Sequence, residues 1–176
     1  SLRRGESCFD LAHARGVAAS RIDATRLRRN TRYEELLGGG VELIDGVAET
    51  LRALQGIARM AVVTSSRPAH FALAHARTGI RDAFELVLTR ADYAKSKPDP
   101  EPYLLAADRL GVRPADCLVV EDTERGLVSA TRAGMRCVVI PRGLSAGGDY
   151  SAAYRVLTGV GELLPIVREL TGRPDP

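Results

Sequence analysis

From residue 51 onward, short unbroken apolar runs take turns with longer segments in which apolar residues recur at helical spacing. The runs are Met60–Thr64 (MAVVT), Phe84–Leu88 (FELVL), Cys117–Val120 (CLVV) and Cys137–Ile140 (CVVI). Continuous Val/Leu runs, rather than apolar-polar alternation, predict strands covered on both faces, as in a parallel sheet with crossover helices. Helices are predicted at Val47–Leu54, Pro68–Arg77, Pro102–Leu110 and Glu124–Ala133; the last two are stopped by Gly111 and Gly134, which suit a left-handed cap. Pro114 breaks the chain before the third run. Val160–Leu170 reads as a terminal amphipathic helix with Leu163, Leu164, Val167 and Leu170 on one face. Residues 1 to about 38 carry helical segments and no strand, and Gly38-Gly39-Gly40 marks a hinge. The predicted organisation is a helical unit at 1–40, an α/β core at 41–172 and a frayed tail at 173–176.

Composition narrows this picture. A chain of 176 residues, 45% apolar, suits one compact domain or slightly more, and excludes a disordered acidic tail, a collagen-like repeat or a disulfide scaffold. Residues 1–40 hold eight arginines against five acidic residues, whereas residues 41–176 balance at 17 each, so the net +3 lies in the first quarter. Arg21, Arg26, Arg28, Arg29 and Arg32 could touch phosphates of a nucleic acid. With no interleaved aromatics, the expectation is a solvated helix face and no nucleic-acid partner. Cys8, Cys117 and Cys137 are too scattered for a zinc site and odd in number, which fits a reducing cytoplasm. No stretch approaches about 18 consecutive apolar residues, and no charged-then-apolar leader precedes the first helix, so neither a membrane span nor a signal peptide is expected. Of the 25 basic residues 23 are arginine; the two lysines, Lys95 and Lys97, share one tripeptide.

In open α/β sheets ligands bind beyond the carboxyl ends of the strands, so the polar residues ending each run carry the candidate chemistry. The first run ends Thr64-Ser65-Ser66-Arg67, a hydroxyl followed by successive amides leading into a helix. This arrangement suits an anion or a simple helix cap. The third run ends Glu121-Asp122. Two carboxylates beside a core repel one another unless a cation offsets them, and oxygen-only ligands point to Mg2+, which takes one or two carboxylates and keeps its other positions for water and phosphate. Between these lies the proline-rich loop Ala94–Pro102, in which Pro98 holds Lys97 extended and fixes where its ammonium starts.

Thr64 after an apolar run, Lys97 in Ser-Lys-Pro-Asp-Pro-Glu-Pro-Tyr, and Val-Val-Glu-Asp-Thr-Glu-Arg-Gly followed by Ala-Gly-Met resemble, in order and spacing, three motifs of the haloacid dehalogenase superfamily. The nearest likeness is to its group of small phosphatases that includes beta-phosphoglucomutase and phosphoglycolate phosphatase, and it covers roughly residues 41–170. Tyr33-Glu34-Glu35-Leu36-Leu37 and the helical stretch before it resemble the end of that group's mobile cap. The resemblance implies a Rossmann-like three-layer parallel sheet with a partial helical cap. It further implies a magnesium-dependent hydrolase, phosphatase or phosphomutase, acting on a small phosphorylated metabolite through a phosphoaspartyl mechanism. Thr64 would hydrogen-bond the phosphoryl group with the Ser65 amide beside it, and Lys97 would neutralise its charge. Asp122 would hold the magnesium, with Glu121 ligating it or orienting its waters. Ser66 and Arg67 would face the substrate, and Gly126 would leave room for backbone close to the metal loop.

One departure stands against the match. Family members open with a strand carrying Asp-x-Asp, whose first acid attacks phosphorus and whose second acts as general acid and base. The nearest candidate, Cys8-Phe9-Asp10-Leu11-Ala12, has alanine where the second acid belongs. In the family that strand is central, so without it the strands ending at Thr64 and Asp122 should present facing, unpaired edges open to self-association. The favoured explanation is that residues upstream of Ser1 carry it. The alternative is a non-catalytic relative that binds phosphate or a partner without turnover. A receiver domain fits poorly, since there the acids precede the lysine. A dehalogenase would leave Glu121-Asp122 without a purpose.

Overall fold

The structure is a computed structural model that describes residues 8–173. The first seven residues of the expected helical unit and Pro174–Pro176 of the expected tail lie outside the described residues. Two helices come first, α1 (Cys8–Ala14) and the longer α2 (Ala19–Gly38). There follow α3 (Val47–Leu54), β1 (Ala61–Val63), α4 (Pro68–His75), β2 (Leu86–Leu88), α5 (Glu101–Leu110), β3 (Leu118–Glu121), α6 (Glu124–Arg132), β4 (Arg136–Val139), β5 (Arg155–Val156) and α7 (Leu163–Thr171). All four expected strands form, each within a residue or two of its apolar run. Proline at the first turns of α4 and α5 sets their starts, because that position needs no amide donor. Gly111 closes α5 at φ 64°, a conformation that costs a residue with a Cβ. The last helix begins later than its periodicity implies. Val160–Glu162 is a 3₁₀ turn, and the Glu162 carboxylate accepts from the Thr158 and Gly159 amides there.

Every strand pairing is parallel. Ala61 aligns with Leu86 in β1–β2, Leu118 with Arg136 in β3–β4, and Val138 with Arg155 in β4–β5. These ladders form two separate sheets, β1-β2 and β3-β4-β5, and among the described residues no strand joins β1 to β3. The expectation of strands covered on both faces holds for Cys137, Val138 and Val139 of β4, all buried, but not for β3, where Val120 is 47% exposed. Val120 faces a groove at the break between the sheets, where among the described residues no strand pairs with that edge of β3.

The main core lies where α5 and α6 cover the larger sheet. It gathers Ala107, Val119, Leu127, Ala130, Met135, Cys137 and Val139. Because side chains alternate along a strand, Val138 points the other way, into a second cluster with Ile140, Leu157, Leu163 and Ile166. Helix α2 packs against α4, where His70 Nε2 lies 3.1 Å from Glu34 Oε1 and Tyr33 meets the His70 ring edge-on.

One buried polar contact connects this core to the loop before α5. Ser129 of α6 is fully buried, and its Oγ donates to the Asp99 carbonyl at 2.6 Å. Replacing Ser129 with Ala would leave that carbonyl without its partner, a loss of about 1–3 kcal/mol. The expected outcome is a lower urea midpoint at unchanged m-value; a midpoint equal to that of the native chain would show the contact to be dispensable.

Candidate active site

The two sheets end at a groove of about 1030 Å3 whose lining includes Thr64, Ser65, Lys97, Val120, Glu121 and Asp122. Thr64 directly follows β1. Its amide donates to the Leu88 carbonyl and its own carbonyl accepts from the Tyr93 hydroxyl at 2.9 Å, so the backbone here is fixed from both sides. Its Oγ1 accepts from the Ser66 amide at 3.1 Å, which leaves the hydroxyl proton to be donated elsewhere. The same bond commits the Ser66 amide. Ser65 lines the groove, whereas Ser66 and Arg67 are not among the residues that do.

The proline-rich loop is held by its own acids. Glu101 accepts from the amides of Ala94 and Lys95 at 2.7 and 2.8 Å, and Asp99 Oδ1 accepts from the Glu101 amide. The Lys97–Pro98 peptide is cis. The two lysines differ in their surroundings. Lys95 is exposed, its Nζ 3.9 Å from Asp99 and outside the groove. The side chain of Lys97 is only 11% exposed, and its Nζ donates to the Val63 carbonyl at 3.0 Å and to Glu121 Oε1 at 2.5 Å.

Glu121 is the most heavily engaged group in the site. Lys97 and the Tyr103 hydroxyl (2.6 Å) donate to Oε1, while the Asp122 amide (3.2 Å) and Thr123 Oγ1 (3.1 Å) donate to Oε2. A carboxylate has roughly four lone-pair sites, and all are met. Burial works to raise its pKa, but Lys97 and these hydrogen bonds outweigh it and hold the carboxyl below the usual range. Asp122 moves the other way: burial and the neighbouring Glu121 charge push it up. Among the described residues no ion pair neutralises Asp122, and no third His, Cys, Asp or Glu joins the two in a group of three. The single open carboxylate suits an ion that keeps most of its positions for water and phosphate oxygen.

Three further contributors have roles that the sequence alone does not give. Tyr103 reads as an ordinary helix aromatic. Thr123 caps α6 by accepting from the Gly126 amide at 3.1 Å, so only its helix-start position was legible. For Gly126 the reason differs from the expected room for backbone: a Cβ there would overlap the Glu121 carboxylate itself. Asp10, the nearest match to an attacking acid, is exposed on α1 and not on a strand. The cysteines are free thiols, and burial with the Glu121 charge pushes Cys137 up to about 12, far from a nucleophile's range.

Residues 2–134 match the haloacid dehalogenase-like hydrolase family. The chain is 36% identical over 143 residues to Protein CbbY of Rhodobacter capsulatus, which covers 78% of this chain and 63% of that protein. It is 31% identical over 163 residues to the phosphoglycolate phosphatase of Xanthomonas campestris, covering 83% and 74%. Among solved structures, CbbY from Rhodobacter sphaeroides in complex with phosphate superimposes with a TM-score of 0.73 at 29% identity, covering 83% of this chain and 67% of that one. The chain thus spans about 63% of the length of the CbbY relatives it matches. No described helix is long and apolar enough to cross a membrane. By the family match and these relatives, which include CbbY and phosphoglycolate phosphatase, the chain belongs to the haloacid dehalogenase-like hydrolases.

Proposed function

We propose that this chain carries the charge-neutralising and metal-holding part of a magnesium-dependent phosphatase, or phosphomutase, for a small phosphorylated metabolite. The observation that carries this reading is the convergence of Thr64, Lys97 and Asp122 on one groove at the carboxyl ends of β1 and β3. Phosphoryl transfer needs mainly positioning and neutralisation of the equatorial oxygens. Thr64 offers its hydroxyl proton, Ser65 lies beside it, and Lys97 has one ammonium proton left after Val63 and Glu121. Asp122 is the group to hold magnesium, which would offset phosphoryl charge. Glu121, saturated by four donors, supports Lys97 and reaches the ion only through Asp122. The attacking carboxylate of the phosphoaspartyl mechanism has its place in the open interval between β1 and β3, where Lys97 would also neutralise it.

That same interval supports a second reading, a non-catalytic protein that binds phosphate or a partner strand, a second copy of this chain included. Sedimentation across a hundredfold concentration range tests self-association through these edges. A mass that stays monomeric throughout would argue against it.

Two further outcomes are expected. In the protein with its attacking carboxylate in place, given an aryl phosphate and magnesium, Lys97→Ala should lower kcat by about 100- to 1,000-fold, in line with the loss of one preorganised charge-stabilising group. Turnover that survives the substitution would overturn the phosphatase reading, and phosphate binding without turnover in the native chain would favour the second. Asp122→Asn should raise the melting temperature of the metal-free chain at neutral pH. The Asp122 pKa is raised in the fold, so its ionisation works against folding; the penalty is absent where folded and unfolded states are both protonated and grows as pH climbs above about 4. Magnesium should raise the melting temperature of the native chain and leave Asp122→Asn unmoved; an equal response of both would remove Asp122 as the ligand.

A further inference from the structure

We infer that Tyr103 is a positioning residue, whose hydroxyl holds Glu121 where that carboxylate presents Lys97 to the groove. Tyr103 stands in the first turn of α5 and is 6% exposed, packed with Ala107, Val119, Leu127 and Cys137. A phenylalanine would fill that apolar environment equally well, and a buried hydroxyl is costly there unless it is paired. Its one partner is Glu121 Oε1 at 2.6 Å, the same oxygen that receives Lys97. The Lys97 ammonium also sits 4.7 Å from the Tyr103 ring centroid, so the residue touches both members of the pair.

The consequence is geometric. Oε2 is fixed by the Asp122 amide and Thr123, but among the described residues Oε1 has only Lys97 and Tyr103. Tyr103 is anchored through its helix, whereas Lys97 extends from a loop on a flexible stem. Without the hydroxyl, Oε1 would follow the ammonium, and the ammonium would lose its fixed direction toward the groove.

The inference rests on the phosphatase reading for its use, not for its geometry, and the two can be separated by one experiment. Because the chain has only two lysines, 15N-lysine labelling yields two side-chain signals, and exposed Lys95 serves as the internal control. In Tyr103→Phe, exchange of the Lys97 ammonium protons with water should accelerate about tenfold, the scale of one hydrogen bond to a charged group. Lys95 and the backbone amides of β3 and β4 should be unchanged, which a merely structural loosening would not allow. Inorganic phosphate should shift the Lys97 signal in the native chain and bind about tenfold more weakly to the variant. Tyr103→Leu, which also removes the ring, should exceed both effects. A Lys97 signal and exchange rate in Tyr103→Phe equal to the native values would overturn the inference. A Lys97 signal freed by the variant but indifferent to phosphate in the native chain would uphold the inference and count against the phosphatase reading.

Discussion

One buried ammonium links the two halves of this molecule. Among the described residues the β1-β2 and β3-β4-β5 sheets share no ladder, yet the Lys97 ammonium donates to both, to the carbonyl at the end of β1 and the carboxylate at the end of β3. A pair this buried is weak evidence of net stability, because desolvating two charges offsets most of their attraction. It is strong as a constraint on what must occur together. Remove either partner and an uncompensated charge stays in a nearly closed place, a cost of about 3–5 kcal/mol. The rigid loop, the saturated carboxylate and the glycine that admits it are all conditions for that one bridge to exist.

The bridge also separates two adjacent acids by role. Glu121, the last residue of β3, turns inward and is buried, while Asp122, just past the strand, is the outward one, exposed at the groove that both line. The inward one collects four donors and stays ionised against burial. Among the described residues the outward one gains no ion pair, and it bears the cost of the first one's charge. The two shifts are linked in one direction: Lys97 holds Glu121 as an anion, and burial together with that retained charge raises Asp122. Adjacent carboxylates with opposed environments are how a site divides structural anchoring from ion binding.

The legible parts of the fold were those written into contiguous residues. Val/Leu runs mark β1 to β4 as strands, although burial on both faces is complete only for Cys137, Val138 and Val139 of β4, and proline and glycine mark the helix ends because their backbone limits act locally. Strand β5 was missed: Arg155 and Val156 are both exposed, and only pairing to β4 makes them a strand. The exposure of Val120 was equally hidden, since nothing within CLVV records which neighbour covers it. In the site, Thr64, Lys97, Glu121 and Asp122 were found through their place at strand ends and in the loop. Ser66 and Arg67 share that position after a strand but lie outside the groove lining. Tyr103 and Ser129 act through partners 18 and 30 residues away, so no local pattern could have marked them.

The lysine bias of the composition finds its physical reason at the same point. Arginine serves this chain at nearly every exposed cationic position, where a planar fork with five donors meets water or carboxylates freely. Between the Val63 carbonyl, Glu121 and the Tyr103 ring there are two acceptors and one aromatic face, and the side chain is 11% exposed. A guanidinium there would bury donors with nothing to receive them, each at a cost of about 1–3 kcal/mol. An ammonium has three donors, two of which are met within the protein. The third is the one a phosphoryl oxygen can take, so the composition of that pocket, rather than a general preference of the chain, selects lysine at position 97.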